Sequence, residues 1–241
     1  MKLKWLVLSL TFIFLGGDLC LGKNATGAKN PDQRITYPRG TAEEAKEREE
    51  FLKKIPTPKE WWAENRERDK RDKPDEIIDS LSIDPGMIVG EAGAGDGYFT
   101  LFLSRAVGGK GTVYANDNDR FMLYALEYYM AACQHDKNII PVLGSDTDPL
   151  FPADELDMIV IYGSFHDFQD RKGWLNIAKN YLKPYGVLAI VDGYWPGHGG
   201  LTYELITGIA KECGFRQIHY KDFSFSAFSH HLHIFLKGQQ N

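Results

Sequence analysis

The chain has 241 residues, enough for one well-packed α/β domain with additions. With 43% hydrophobic and 25% charged residues, it has the composition of an ordinary soluble globular protein. A formal net charge of -5 argues against a general polyanion binder, because nucleic-acid affinity rests on clustered Lys and Arg, and no nucleic-acid partner is expected.

At the N-terminus, Lys2 and Lys4 precede the apolar stretch WLVLSLTFIFL, and GGDLCLGKN follows it. A charged start, a short apolar run and small residues beyond it predict a secretory signal peptide over residues 1–22, cleaved after Gly22. The apolar run falls short of the roughly 20 residues of a comfortable transmembrane helix. Export to the periplasm or the exterior is the expectation. The alternative is an uncleaved segment that anchors the protein to a membrane. Leu19 is bulky where a lipobox before Cys20 needs a small residue. After cleavage Cys133 and Cys213 remain, both in helical patterns, and they do not make a disulfide framework. Asn24-Ala25-Thr26 matches a glycosylation acceptor, a tripeptide common by chance.

Residues 23–74 read as a polar leader with N-terminal helices, and 75–238 as the main domain. One helix is predicted from about Ala42 to Lys54, and two more within PTPKEWWAENRERDKRDKPDEIIDSLSI, separated near Lys73-Pro74. Trp61 and Trp62 are expected to anchor a helix on the core. RERDKRDK, residues 66–73, interleaves bases with acids and reads as a solvated helix face.

From Met87 onward strands and helices alternate. MIV, GTVYAND, NIIPVLGSD, LDMIVIYGSFHD and VLAIVDG read as five strands. Helices are predicted after the first turn, from Asp119 to Ala132, over WLNIAKNYL, and over residues 201–213; RQIHYKDF and HHLHIFLK add two closing strands. Such alternation implies a mostly parallel sheet with helices on both faces. Ligands of these folds bind beyond the carboxyl ends of the strands. There the first strand runs into EAGAGDG, with Gly93, Gly95 and Gly97 in a G-x-G-x-G spacing that differs from the dinucleotide fingerprint. Alternate glycines clear one side of a turn, which suits a ligand lying on the backbone. Glu91 ends the first strand and Asp117 the second; Asp146 and Asp148 follow the third, His166 and Asp167 the fourth, and Asp192 ends the fifth. An acid at the tip of the second strand is placed to bond ribose hydroxyls.

These motifs resemble the class I S-adenosylmethionine-dependent methyltransferases. EAGAGDG looks like their first motif, VYAND their second-strand acid, VLGSDTDPLFPADELDMIVI their third and fourth strands, and YLKPYGVLAIVD their Leu-Lys-Pro-Gly-Gly signature with Tyr185 in place of one glycine. The likeness spans roughly residues 75–237. It extends to a group of exported or uncharacterised methyltransferases in which FHDFQDR and GHGG recur. The resemblance implies a Rossmann-like three-layer α/β/α sandwich, with a mostly parallel seven-stranded sheet and a C-terminal antiparallel strand. It also implies S-adenosyl-L-methionine as cofactor and a small-molecule methyl acceptor as partner. Gly93, Gly95 and Gly97 would carry the methionine and ribose, Glu91 would stand near the amino group, Asp117 would take the ribose diol, and Asp146 or Asp148 the adenine amino group.

A base is needed only where the acceptor carries a proton. His166 is the candidate, by its place after the fourth strand and its intrinsic pKa of about 6.5; the other reading is a histidine that shapes the pocket. Asp167 orients His166 or caps the following helix. His198, on a glycine-flanked loop, is a lid or substrate contact. Alternation puts His231 and His233 on one strand face and His230 on the other, so no metal site is expected. Other readings of the chain are a nucleoside-binding module without catalysis, another transferase on the same scaffold, such as an aminopropyl transferase, and an NAD(P) oxidoreductase, disfavoured by the glycine spacing.

Overall fold

The computed structural model describes residues 40–133, 137–195, 199–223 and 229–238. The signal-like segment, the leader up to Arg39 and His198 lie outside the described residues. Three helices come first: α1 (Ala42–Leu52), α2 (Pro58–Asp72) and α3 (Pro74–Leu81). Thr41 and Glu44 close a capping box on α1, and Thr57 and Glu60 do so on α2, where Pro58 at the first position gives up an N–H that has no helical partner. Among the described residues no helix is long and apolar enough to cross a membrane.

The alternating part follows as β1 (Ile88–Ala92), α4 (Tyr98–Val107), β2 (Thr112–Asp117), α5 (Arg120–Ala132), β3 (Ile139–Leu143), β4 (Leu156–Tyr162), α6 (Arg171–Ala178), β5 (Leu182–Trp195), a two-residue β6 (Gly199–Gly200), α7 (Tyr203–Glu212), β7 (Phe215–Asp222) and β8 (Ser229–Lys237). The main sheet runs β3-β2-β1-β4-β5-β8-β7, parallel except for β8, which is antiparallel to both its neighbours; β6 pairs with the end of β5. This is the expected Rossmann-like sandwich of seven main strands with one antiparallel strand late in the chain.

Both faces of the sheet are covered, which is why its central strands are apolar at successive positions. Along β4, Met158, Val160 and Tyr162 join a core with Trp61, Ile77, Leu101 and Leu123, beneath α2 to α5. Ile159 and Ile161 face the other way, into a core with Trp174 and Ile206 from α6 and α7. Asp119 caps α5 as expected, its side chain accepting from the Phe121 N–H at 2.8 Å.

One element departs from the sequence reading. The helix over WLNIAKNYL ends at Ala178, and Leu182-Lys183-Pro184-Tyr185-Gly186 belong to β5. Leu182 is fully buried and pairs with Leu156, and a register shift then sets Val187 against Met158. Burial of Leu182 in the sheet outweighs the helical periodicity it shares with Trp174 and Leu175.

Candidate active site

The order of strands reverses between β1 and β4, and open α/β sheets hold their ligands at such a point. Gly93, Gly95 and Gly97 in the turn after β1 all take positive φ, at 73°, 56° and 92°. At Gly95 a Cβ would meet nothing within 4 Å, so the bare backbone faces open space. A side chain there would strain the turn and fill that space. At Gly93 a Cβ would run into the Ser164 side chain, whose Oγ donates to the Ala92 carbonyl at 3.0 Å, so the glycine lets the ends of β1 and β4 touch. Gly97 stands at the N-cap of α4.

Asp117 lies against this turn. Its Oδ2 accepts the Gly95 N–H at 2.8 Å and its Oδ1 the Asp119 N–H at 2.9 Å. Burial raises its pKa above the ordinary aspartate value, against the pull of those N–H groups. Asn118 donates to Asp146 Oδ1 at 2.7 Å, which sets Asp146 on the same rim. Asp148 turns elsewhere: its Oδ1 accepts the Leu150 N–H at 2.9 Å and the Tyr181 hydroxyl. Glu91 is buried and takes the Thr100 hydroxyl at 2.5 Å. Burial, with Asp117 and Asp96 nearby, pushes its pKa up to about 8.

Beyond β4 a short 3-10 turn, Phe165–Asp167, carries His166. The His166 N–H donates to Asp192 Oδ2 at 2.9 Å, and ring Nδ1 lies 3.1 Å from Asp192 Oδ1. Asp192, on β5, is fully buried and also accepts the Gly193 N–H at 2.7 Å. A carboxylate at Nδ1 assigns the ring proton to that nitrogen and leaves the lone pair on Nε2. Arg171 steadies the turn by donating to the Phe165 carbonyl at 2.9 Å and to the His166 carbonyl. Asp167 is largely exposed, with Oδ2 3.5 Å from His166 Nε2. It does not cap α6, a role taken by Asp170 through the Gly173 N–H. The contact that orients the ring on Nδ1 is Asp192.

Helix α2 closes one side of the strand tips. Trp61 is buried in the core, as an anchor should be, but its indole N–H also donates to Asp96 Oδ2, within the glycine turn, at 2.6 Å. The charged run 66–73 is not simply a solvated face. Asp72 is fully buried, 2.9 Å from Arg68 Nε and 2.6 Å from Arg71 Nε, and accepts the Tyr162 hydroxyl at 3.3 Å. Two guanidinium groups and a phenol make that burial tolerable.

With this geometry in hand, the comparisons are specific. Residues 89–186 match a family model described as a methyltransferase domain. A solved S-adenosylmethionine-dependent methyltransferase from Aquifex aeolicus is 22% identical over 68% of this chain and 89% of its own, with a TM-score of 0.60. Residues 89–186 are thus similar to a methyltransferase domain, on a fold shared with solved S-adenosylmethionine-dependent methyltransferases. Phosphoethanolamine N-methyltransferase 2 from Haemonchus contortus, solved with phosphomonomethylethanolamine and S-adenosylhomocysteine, is similar at 15% identity over 70% of this chain and 53% of its own, TM-score 0.57. Geranyl diphosphate C-methyltransferase from Streptomyces coelicolor, solved with Mg2+, geranyl diphosphate and S-adenosylhomocysteine, is similar at 10% identity over 71% and 80%, TM-score 0.58. At such identities these structures speak for the fold. No curated protein matches the chain in sequence. S-Adenosylmethionine is the cofactor of the Aquifex aeolicus methyltransferase, and the bare backbone at Gly95 beside Asp117 fits its nucleoside.

The three histidines of the closing strand lie on β8 in the expected alternation. His231 and His233 share a face, with ring centroids 6.4 Å apart, and the Tyr220 hydroxyl lies 2.9 Å from His231 Nδ1. His230 faces the other core and is buried. Among the described residues no three His, Cys, Asp or Glu side chains group as metal ligands. Two site residues escaped the sequence reading. Asp192 was visible as a strand-end acid without a partner, and Asp96 carried no signal beyond its place between two glycines.

Proposed function

We propose that the protein methylates a proton-bearing nucleophile on a small molecule, with His166 as the base. The observation that supports this reading is the buried Asp192 carboxylate on His166 Nδ1, because it leaves Nε2 as acceptor at the tip of β4, beside the glycine turn. S-Adenosylmethionine supplies an electrophilic methyl group on a positively charged sulfur. The chain's own residues bind, orient and move a proton. The main chain of Gly93 to Gly97 carries the cofactor's methionine and ribose, and Asp117 accepts the ribose hydroxyls. Asp146, which Asn118 sets on the rim beside Asp117, would take the adenine amino group, and Asp148 turns towards Leu150 and Tyr181. His166 Nε2 would accept the proton of the nucleophile, and the cofactor when bound would give up its methyl group by cleavage of the methyl–sulfur bond, leaving S-adenosylhomocysteine. Asp192 on one side and Asp167 on the other then face an imidazolium. The interleaved charges and the net charge of -5 favour a small acceptor over a nucleic acid.

The test is methyl transfer from labelled cofactor to a panel of phenols, amines, thiols and carboxylic acids. With a protonated acceptor, His166→Ala should lower turnover by roughly 10²- to 10⁴-fold and leave S-adenosylhomocysteine affinity unchanged. His166→Gln should be nearly as slow, because an amide keeps hydrogen bonds but takes no proton. A Gln variant with most of the wild-type rate would make His166 a shaper of the pocket.

A further inference from the structure

The cofactor ends in an amino acid, so its site must satisfy an ammonium and a carboxylate. Glu91, Asp96 and Asp117 surround the glycine turn with acids, which suits the ammonium and opposes the carboxylate. A cation has to come from elsewhere, and α2 brings one. Arg68 lies with its guanidinium carbon 3.7 Å from the centre of the Tyr98 ring and 5.9 Å from that of Tyr162. Tyr98 is the first residue of α4, directly after Gly97, and its hydroxyl donates to Asp69 Oδ1 at 2.9 Å.

Arg68 is held by an acid and two aromatic rings and is still partly exposed. Its Nε donates to the fully buried Asp72, while a third of the side chain is exposed. The Trp61 indole on Asp96 fixes the opposite end of α2 against the same turn. Arg171, the cation after β4, spends its guanidinium on the carbonyls of Phe165 and His166. We infer that Arg68 is a binding residue for the carboxylate at the methionine end of the cofactor, with Asp72 and Tyr98 as its positioning residues. This rests on the S-adenosylmethionine reading of the glycine turn, and it extends the binding site to a helix outside the matched residues 89–186. The planar guanidinium is suited to the task, since it bonds a carboxylate with two parallel N–H groups.

The experiment compares two ligands by titration calorimetry. S-Adenosylhomocysteine has the amino-acid end; 5′-methylthioadenosine has the same nucleoside and thioether without it. Arg68→Met should weaken S-adenosylhomocysteine by about tenfold or more, the scale of a charge-assisted pair, and leave methylthioadenosine within about twofold of wild type. Arg68→Lys keeps a charge for Asp72 and should recover part of the loss. It carries the same comparison should the Met variant not fold. Equal losses for both ligands, or no loss for either, would overturn the assignment. If the wild-type protein binds neither ligand, the reading of the glycine turn falls first and the assignment with it.

Discussion

At the tips of β1 and β2 the groups around the glycine turn are held by main chain: Asp117 by the N–H groups of Gly95 and Asp119, and the turn itself by positive φ. At the tips of β4 and β5 the work passes to side chains. His166 is held by Asp192, 26 residues later, and Tyr162 by Asp72, 90 residues earlier. The first half is local and built from backbone; the second is assembled from distant side chains. Substitution should therefore act differently in the two, on binding alone in the first and through the loss of a distant partner in the second.

The largest effect is expected where the second arrangement is broken. Asp72→Ala removes the acid shared by Arg68 and Arg71 and should cost about 2–4 kcal/mol, below the full value for a buried pair because both arginines are partly exposed. Urea denaturation measures it. A loss under about 1 kcal/mol would mean that Trp61 alone docks α2. In the backbone-built half, Asp117→Ala should weaken S-adenosylhomocysteine by about 1.5–3 kcal/mol in calorimetry with the melting temperature nearly unchanged. Unchanged affinity would remove Asp117 from the site.

A pH-dependent effect sharpens the contrast, because Glu91 belongs to the first half yet is bonded to a side chain. Burial raises its pKa from 4.5 to about 8 in the folded state, so that state holds the proton more tightly than the unfolded chain. Its contribution to stability is complete below about pH 4.5 and declines as pH rises towards 8, by no more than about 1.4 kcal/mol per pH unit for one proton. Thermal melts from pH 5 to 8.5 should show Glu91→Gln with the shallower decline. Parallel slopes in the two proteins would place the titrating group elsewhere.

The same contrast explains what could be read from the sequence. Gly93, Gly95, Gly97 and Asp117 are legible because a backbone-built site needs particular residue types at fixed short spacings. The mostly parallel sheet follows from the alternation of apolar segments, and the late antiparallel strand from the family likeness. His166 could be placed at a strand end, but its partner could not be named, since no local spacing joins it to Asp192. RERDKRDK gave no sign that one acid of the run turns inward, because that depends on Tyr162 arriving from β4. Leu182 was read as the end of a helix for a similar reason: its pairing with Leu156 decides its state.

The position of β8 carries a consequence for how the molecule comes together. It follows β7 in the chain yet lies between β5 and β7, joined by hydrogen bonds to both. On a ribosome, each of β2 to β5 emerges with one neighbouring strand already made, whereas β7 leaves the tunnel with no strand to dock on until β8 arrives. The edge of β5 beside Asp192 stays uncovered over that interval, an unpaired strand of the kind that draws in other chains. Slow translation between residues 215 and 229 would prolong this exposure. The side of the sheet beyond β5, completed last, is where nascent chains should first need a chaperone.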